Sequence, residues 1–300
     1  MLGPNFSSHN MMVIVVALIT TFLLPSSTYY GNYSLLYSYQ AEFRICDLKP
    51  PTLCDNDGIA YQYYGKGIGI QPNPLRISAK TIEYHDSYLT SGNETIKKFL
   101  RNSADWLVNN AVHNDNYSIL EYKFPFPRYN LEPGWHSAMA QARAIKALIK
   151  THQVIGDLKY SDTAHRLLNS FFVEVKDGGI TYKSPNKGWW YEEYAANKNN
   201  KMSKAPWVLN GMMSALIDIF EYYNYTREPD AKYLFDQGIL SLIINLPHYT
   251  FLGNRSYYDI LGRPADPGYN TIHVKQLAIL YNITGQTIFK KYHDLWRQSG

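Results

Sequence analysis

From about residue 77 onward, apolar positions follow a helical rhythm that short polar turns interrupt. Trp135, Met139, Ala142, Ile145, Leu148 and Ile149 share one side of the segment from Gly134 to His152, and Val208, Met212, Ala215, Leu216 and Ile219 do the same after Pro206. Turn-like runs at 88–92, 151–156, 223–227 and 281–285 each precede a second helix-like stretch: Glu94 to Ala111, Leu158 to Val175, Pro229 to Leu246 and Gln286 to Gln298. The turns recur at intervals of roughly 60–70 residues, the length of a helix pair with its connections, and such repeats stack so that each buries its neighbour's face. The pattern predicts a mainly α fold of about four stacked helix hairpins over residues 77–300. Gly134, Pro206 and Gly268 are expected just before the first helices of successive pairs.

The earlier residues follow no such rhythm. Residues 31–76 carry short aromatic stretches, Pro50-Pro51 and the glycines from Gly65 to Gly69, and read as a small β or extended lid. Met11 to Leu24 is a run of fourteen apolar or Thr residues closed by Pro25-Ser26-Ser27. That length suits a signal peptide, or an uncleaved membrane anchor, since residues 1–10 hold no Lys or Arg. Residues 1–30 are therefore assigned to targeting. The protein is expected outside the cytoplasm, secreted or anchored facing the lumen or exterior. Seven Asn-x-Ser/Thr triplets, at Asn5, Asn32, Asn93, Asn116, Asn224, Asn254 and Asn282, agree with a glycoprotein in that compartment. Cys46 and Cys54 are the only cysteines and lack partners for a zinc site, so a disulfide is favoured. Asp55-Asn56-Asp57-Gly58 begins like a calcium loop, but Ile59 and Ala60 occupy positions needing an oxygen ligand and Gly, which leaves a polar turn.

Composition narrows the partners. Lys and Arg number 29 against 25 Asp and Glu, a net charge of +4, too weak for a nucleic-acid footprint. The 27 Tyr, 12 Phe and six Trp suit a cleft lined with polar-tipped rings, as sugar sites often are, although cores use Tyr as well. In a toroid, the N-terminal turns of the helices beginning near 134, 206 and 268 would surround one mouth and present positive dipole ends to an anion. The long loops over 176–205 and 248–267, rich in Gly, Asn, Trp and Tyr, fall at the same end.

The residues around that mouth carry a family likeness. Gly134-Trp135-His136-Ser137-Ala138-Met139-Ala140-Gln141, Trp190-Tyr191-Glu192-Glu193-Tyr194, Val208-Leu209-Asn210-Gly211, Tyr258-Asp259 and Tyr269 through Leu277 occur in order. Together they resemble the D-glucuronyl C5-epimerases, which invert D-glucuronate to L-iduronate within heparan-type chains. The resemblance is strong from 134 to 281, weaker from 60 to 133 and absent before that. It implies an α/α toroid, no cofactor or metal, and an anionic uronate-containing polysaccharide as partner; a homodimer is compatible with it. Glu193 and Tyr194 match the family's catalytic Glu-Tyr pair, Tyr269 its second catalytic Tyr, and Tyr258 a substrate-binding Tyr. Trp135, Gln141, Tyr191, Asn210, His273 and Gln276 are further substrate-binding candidates. The chain departs from the pattern at Leu261, where the family has an Arg; Arg263, two residues on, is the expected replacement. Asn270 stands in place of the family's His, and the segment from Ala195 to Ala205 is longer and carries Lys198, Lys201 and Lys204.

Inverting C5 removes a proton next to a carboxylate, so the reaction needs a base on one face, an acid on the other and donors to hold the carboxylate. A Tyr suits either face if positive potential lowers its pKa from roughly 10. Without the likeness, Glu192 and Glu193 read as a solvated loop face, Tyr269 as an ordinary core ring, and Gln141, Asn210 and Gln276 as capping or bridging groups. Two other functions stay open: a uronate lyase, which begins with the same proton removal, and a non-catalytic carbohydrate-binding protein.

Overall fold

The structure is a computed structural model that describes residues 43–48, 51–199 and 204–298, all in one structural unit. The targeting segment and Lys201 lie outside the described residues. Among the described residues no helix is long and apolar enough to cross a membrane.

Four antiparallel strands open the fold in chain order: β1 (Arg44–Leu48), β2 (Pro51–Cys54), β3 (Ala60–Tyr63) and β4 (Ile70–Pro72). A Cys46–Cys54 disulfide links β1 to β2, as the spacing suggests. Between β2 and β3 the Asp55 carboxylate accepts from the Asp57 and Ile59 N–H groups at 3.0 and 2.9 Å, which makes the acidic run a self-capped turn.

Eight α-helices follow as four hairpins. These are α1 (Pro74–Ser91) with α2 (Glu94–Asn110), α3 (Ala138–Ile155) with α4 (Leu158–Asn169), α5 (Leu209–Thr226) with α6 (Pro229–Asn245), and α7 (Pro267–Thr284) with α8 (Thr287–Arg297). The first helices of the pairs form a row in which α1 packs on α3, α3 on α5 and α5 on α7. Ala138, Ala140, Ala142, Ala144 and Ala147 of α3 are all buried, and such small residues let the neighbours approach closely. The main core lies between this row and the second helices, where each fully buried Leu, Ile or Met contributes about 1.5–3 kcal/mol. Gly92, Gly156 and Gly285 end α1, α3 and α7 in the left-handed conformation; Arg227 does so for α5 without being glycine.

Three boundaries differ from the sequence pattern. Trp135 and His136 form a short strand, pairing with Tyr122 and Glu121, and α3 begins only after Ser137, whose hydroxyl accepts from the Ala140 N–H. The stretch from Leu158 does not continue to Val175: α4 stops at Asn169 and gives way to the 3-10 turns Ser170–Phe172 and Val175–Asp177. Gly268 lies inside α7, which Asp266 caps and Pro267 starts. The remaining strands serve the connections: β5 (Ala111–His113), β6 (Ser118–Tyr122) and β7 (Trp135–His136) form one sheet, β8 (Thr181–Ser184) pairs with β9 (Gly188–Tyr191), and β10 (Thr250–Phe251) with β11 (Arg255–Ser256).

Candidate active site

A second apolar cluster, separate from the main core, collects at the N-terminal ends of α1, α3, α5 and α7. It holds Tyr122, Phe124, Tyr129, Trp135, Val208 and Tyr258, with Tyr64, Leu75, Phe126, Tyr194 and Tyr269 packed against it. Phe126 stacks on Tyr194 at 4.8 Å between ring centroids, Trp135 stacks on Tyr122 at 3.9 Å, and Tyr258 meets Tyr269 edge-on at 4.7 Å. The four helix starts therefore surround one aromatic mouth.

Three of those starts carry their own side-chain caps: Asn73 for α1, Ser137 for α3 and Asp266 for α7. The start of α5, with Val208 at its N-cap, has none. Glu193 lies beside the first turn of that helix. Its carboxylate lies 3.5 Å from the Asn210 amide nitrogen, and a methyl group on Gly211 would come within 2.2 Å of its Oε2. The carboxylate that accepts from backbone N–H groups at the entry to α5 is that of Glu192, from Trp207 at 3.0 Å.

The helix end does not keep Glu193 ionised. Burial, and then the charge of Glu192, push its pKa up to about 8, with Tyr194 opposing them through a hydrogen bond. Glu193 also raises the pKa of Tyr122, Tyr129, Tyr194, Tyr258 and Tyr269, so one carboxyl is the common electrostatic neighbour of five phenols. In each phenol burial is the larger cause. The sequence-based expectation of phenols acidified by positive potential is corrected here: in the free protein Tyr194 and Tyr269 are both held above the usual phenol value. Two influences oppose this at Tyr269, the Tyr258 hydroxyl and the Arg128 guanidinium. The Tyr258 hydroxyl couples to both Tyr194 and Tyr269, which puts the two expected catalytic phenols on one polar chain.

Arg263 reaches the same place. Its guanidinium lies over the rings of Tyr129 and Tyr258, 5.2 and 5.9 Å from their centroids, and donates to the Tyr129 hydroxyl at 3.2 Å. The buried Asp259 carboxylate accepts from the Arg263 backbone N–H at 3.2 Å and from the Tyr129 hydroxyl at 2.9 Å, and pairs with the Arg263 Nε at 3.8 Å. The Tyr258 carbonyl accepts from the Leu209 N–H, which fixes this loop to the start of α5. Leu261, at the family's Arg position, is 47% exposed.

Glu193, Tyr194, Tyr258, Tyr269, Asn210, Arg263 and Trp135 thus share one mouth. Four other expected contacts are engaged inside the protein. Both amide atoms of Gln141 bond the backbone of Leu120 at 2.9 Å; the Tyr191 hydroxyl donates to the Leu234 carbonyl at 2.6 Å. Gln276 donates to the Asn210 carbonyl and to the Ser214 hydroxyl, bridging α7 to α5. His273 pairs with the Ser256 hydroxyl at 2.7 Å, and burial lowers its pKa to about 3. All four are buried: Tyr191 on β9, Gln141 in the first turn of α3, and His273 and Gln276 further along α7.

Sequence reasoning missed Phe126, Arg128 and Tyr129 as parts of the mouth, and it gave Asp259 no role beyond its place in the Tyr258-Asp259 motif. The available signal was the alternation Phe124-Pro125-Phe126-Pro127 ahead of Arg128-Tyr129, which breaks β6 into an extended aromatic turn. It also missed Glu192, which is fully buried rather than a solvated loop residue. Among the described residues no group of three or more His, Cys, Asp or Glu side chains is arranged to hold a metal ion.

An uncharacterized protein of Methanocaldococcus jannaschii is 29% identical over 95% of this chain and 97% of its own length. The D-glucuronyl C5-epimerase of Caenorhabditis elegans is 28% identical over 65% of this chain, which spans 33% of that enzyme. Among solved structures, a sugar epimerase from a ruminal bacterium covers 80% of this chain, with 63% of its own length matched, at TM-score 0.51 and 14% identity. Cellobiose 2-epimerase from Spirochaeta thermophila covers 76%, with 60% of its own length matched, at TM-score 0.50 and 13% identity. These two share the α/α-toroid fold. The family model described as D-glucuronyl C5-epimerase C-terminus matches residues 113–298, a span containing Glu193, Tyr194, Tyr258, Arg263 and Tyr269, and the chain belongs to that family.

Proposed function

We propose that this carbohydrate epimerase inverts C5 of D-glucuronate residues within a heparosan- or heparan-like polysaccharide, giving L-iduronate. The observation that carries the reading is the shared position of Glu193 among Tyr194, Tyr258 and Tyr269. A carboxyl whose pKa is about 8 changes its proton occupancy near neutral pH and is a stronger base than an ordinary carboxylate. The phenols do not ionise in that range by themselves, so Glu193 is the group that gains or loses the proton on one face, directly or through the Tyr194 hydroxyl.

The steps balance as follows. The Glu193 carboxylate takes the C5 proton, and the C–H electron pair moves into the uronate carboxyl group as an enediolate. The Tyr269 hydroxyl then gives its proton to C5 from the opposite face. The proton gained at Glu193 returns to the Tyr269 phenolate through the hydroxyls of Tyr194 and Tyr258. In the reverse direction the two faces exchange roles. The Arg128 guanidinium, which favours the Tyr269 anion, steadies that phenolate. Arg263 is the donor for the uronate carboxylate in place of the family's Arg, and Tyr258 supports the sugar ring. An extracytoplasmic location, secreted or membrane-anchored, belongs to the same reading, and the apolar run from Met11 to Leu24 supports it.

Incubation with heparosan in deuterated water tests it. The expected result is deuterium at C5 in an intact polymer. An unsaturated, ultraviolet-absorbing end would instead identify a lyase, and neither signal would leave a binding protein. Tyr194→Phe and Tyr269→Phe should fold and lose at least about 100-fold in exchange, the usual contribution of a general acid or base; near-normal exchange in either would remove that Tyr from the mechanism.

A further inference from the structure

Glu192 lies beside the reacting group, yet none of the steps above uses it. Its side chain is fully buried. One carboxylate oxygen accepts from the Tyr194 N–H at 3.2 Å and the other from the Trp207 N–H at 3.0 Å. Its own N–H donates to the Ile180 carbonyl, and its carbonyl accepts from the Ala138 N–H, both at 2.8 Å. One residue thus joins the bend before β8, the first turn of α3, the loop bearing Glu193 and Tyr194, and the entry to α5. That entry is constrained: Trp207 has φ +45°, unusual for a bulky residue, and its carbonyl accepts from the Tyr249 hydroxyl at 2.5 Å.

We propose that Glu192 is a positioning residue whose carboxyl clamps the Glu193–Tyr194 loop to the entry of α5 and acts on the reaction through its charge. The proposal rests on the reading of Glu193 as the group that exchanges the proton. The loop could be held by neutral acceptors, but a buried carboxyl next to another is a costly way to do so, and the cost falls on Glu193. Burial raises Glu192 to about 7 while four backbone hydrogen bonds oppose it, and its charge in turn raises Glu193. The titratable groups facing Glu192 are Glu193 on its own loop, Tyr182 on β8 and Tyr249 in the turn after α6. Both phenols stay neutral near pH 7, so the charge exchanged in that range is shared between the two carboxyls.

The test uses the whole protein, 13C-labelled at its glutamate carboxyls, titrated by NMR as wild type and as Glu192→Gln. An amide cannot carry the charge but still accepts one of the two hydrogen bonds. The expected result is a folded variant in which the Glu193 midpoint falls by on the order of one pH unit, with the matching limb of the C5 deuterium-exchange profile moving the same way. A folded variant with an unmoved midpoint overturns the proposal. Glu193→Gln supplies the reciprocal measurement if Glu192→Gln fails to fold: the Glu192 midpoint should fall by a similar amount, and no change there overturns the proposal equally. Absence of exchange in the wild type would remove the epimerase reading, whereas the NMR midpoints would still judge the coupling.

Discussion

Glu193 and Glu192 make the protein's stability depend on pH in a direction opposite to that of most acidic groups. Their folded pKa values, about 8 and about 7, lie above the ordinary value of 4.5, so the folded state keeps protons that the unfolded state releases. Their contribution is therefore most favourable below about pH 4.5 and is lost as the pH rises toward 8, by on the order of a few kcal/mol each. Glu193→Gln should raise the unfolding temperature relative to wild type at pH 9 and much less at pH 5. Equal differences at the two pH values would show that burial does not disfavour the charge. Glu193 was legible in the sequence as a family match, but the protonation of the two carboxyls was not, because adjacent carboxyls read equally well as a wet loop until the Trp207 and Val208 backbone closes on Glu192.

At the scale of elements, the helix pairs were readable because their apolar faces keep a single period, whereas the turns that furnish the mouth have none. Gln141 illustrates the difference. On sequence it stands in the opening turn of a helix beside a binding site; in the fold it is a rivet between α3 and β6, its amide saturating the Leu120 N–H and carbonyl. Gln141→Ala should cost about 2–4 kcal/mol, since two buried backbone groups lose their partners, and denaturant unfolding would measure it. A variant as stable as wild type would show those groups to be solvated. The first turn of α5 offers a complementary perturbation. Gly211→Ala places a methyl group 2.2 Å from Glu193 Oε2 and 2.6 Å from its Cβ, so it should suppress exchange without touching the sugar and cost about 1–3 kcal/mol of stability, read by denaturant unfolding. Normal exchange by this variant would mean that the carboxylate can move aside without loss.

At the scale of the whole molecule, the repeat spacing predicted four hairpins and the fold has four, but the small sheet before them resisted sequence reading because β1 to β4 are only three to five residues long and partly buried. Its disulfide closes a loop across eight positions, and Cys46→Ser with Cys54→Ser should cost about 2–3 kcal/mol, read as a lower unfolding temperature that reductant reproduces in the wild type. Leu75 and Tyr64 meet the same aromatic cluster as Tyr258 and Tyr269, although nearly the whole described chain separates them. The mouth is thus a seam where the two ends of a linear array are joined. Contacts so distant in sequence carry a large loop-closure entropy, which the packing of the cluster must offset. A sugar chain seated there would staple the first repeat to the last, and its affinity would report on the integrity of the entire array.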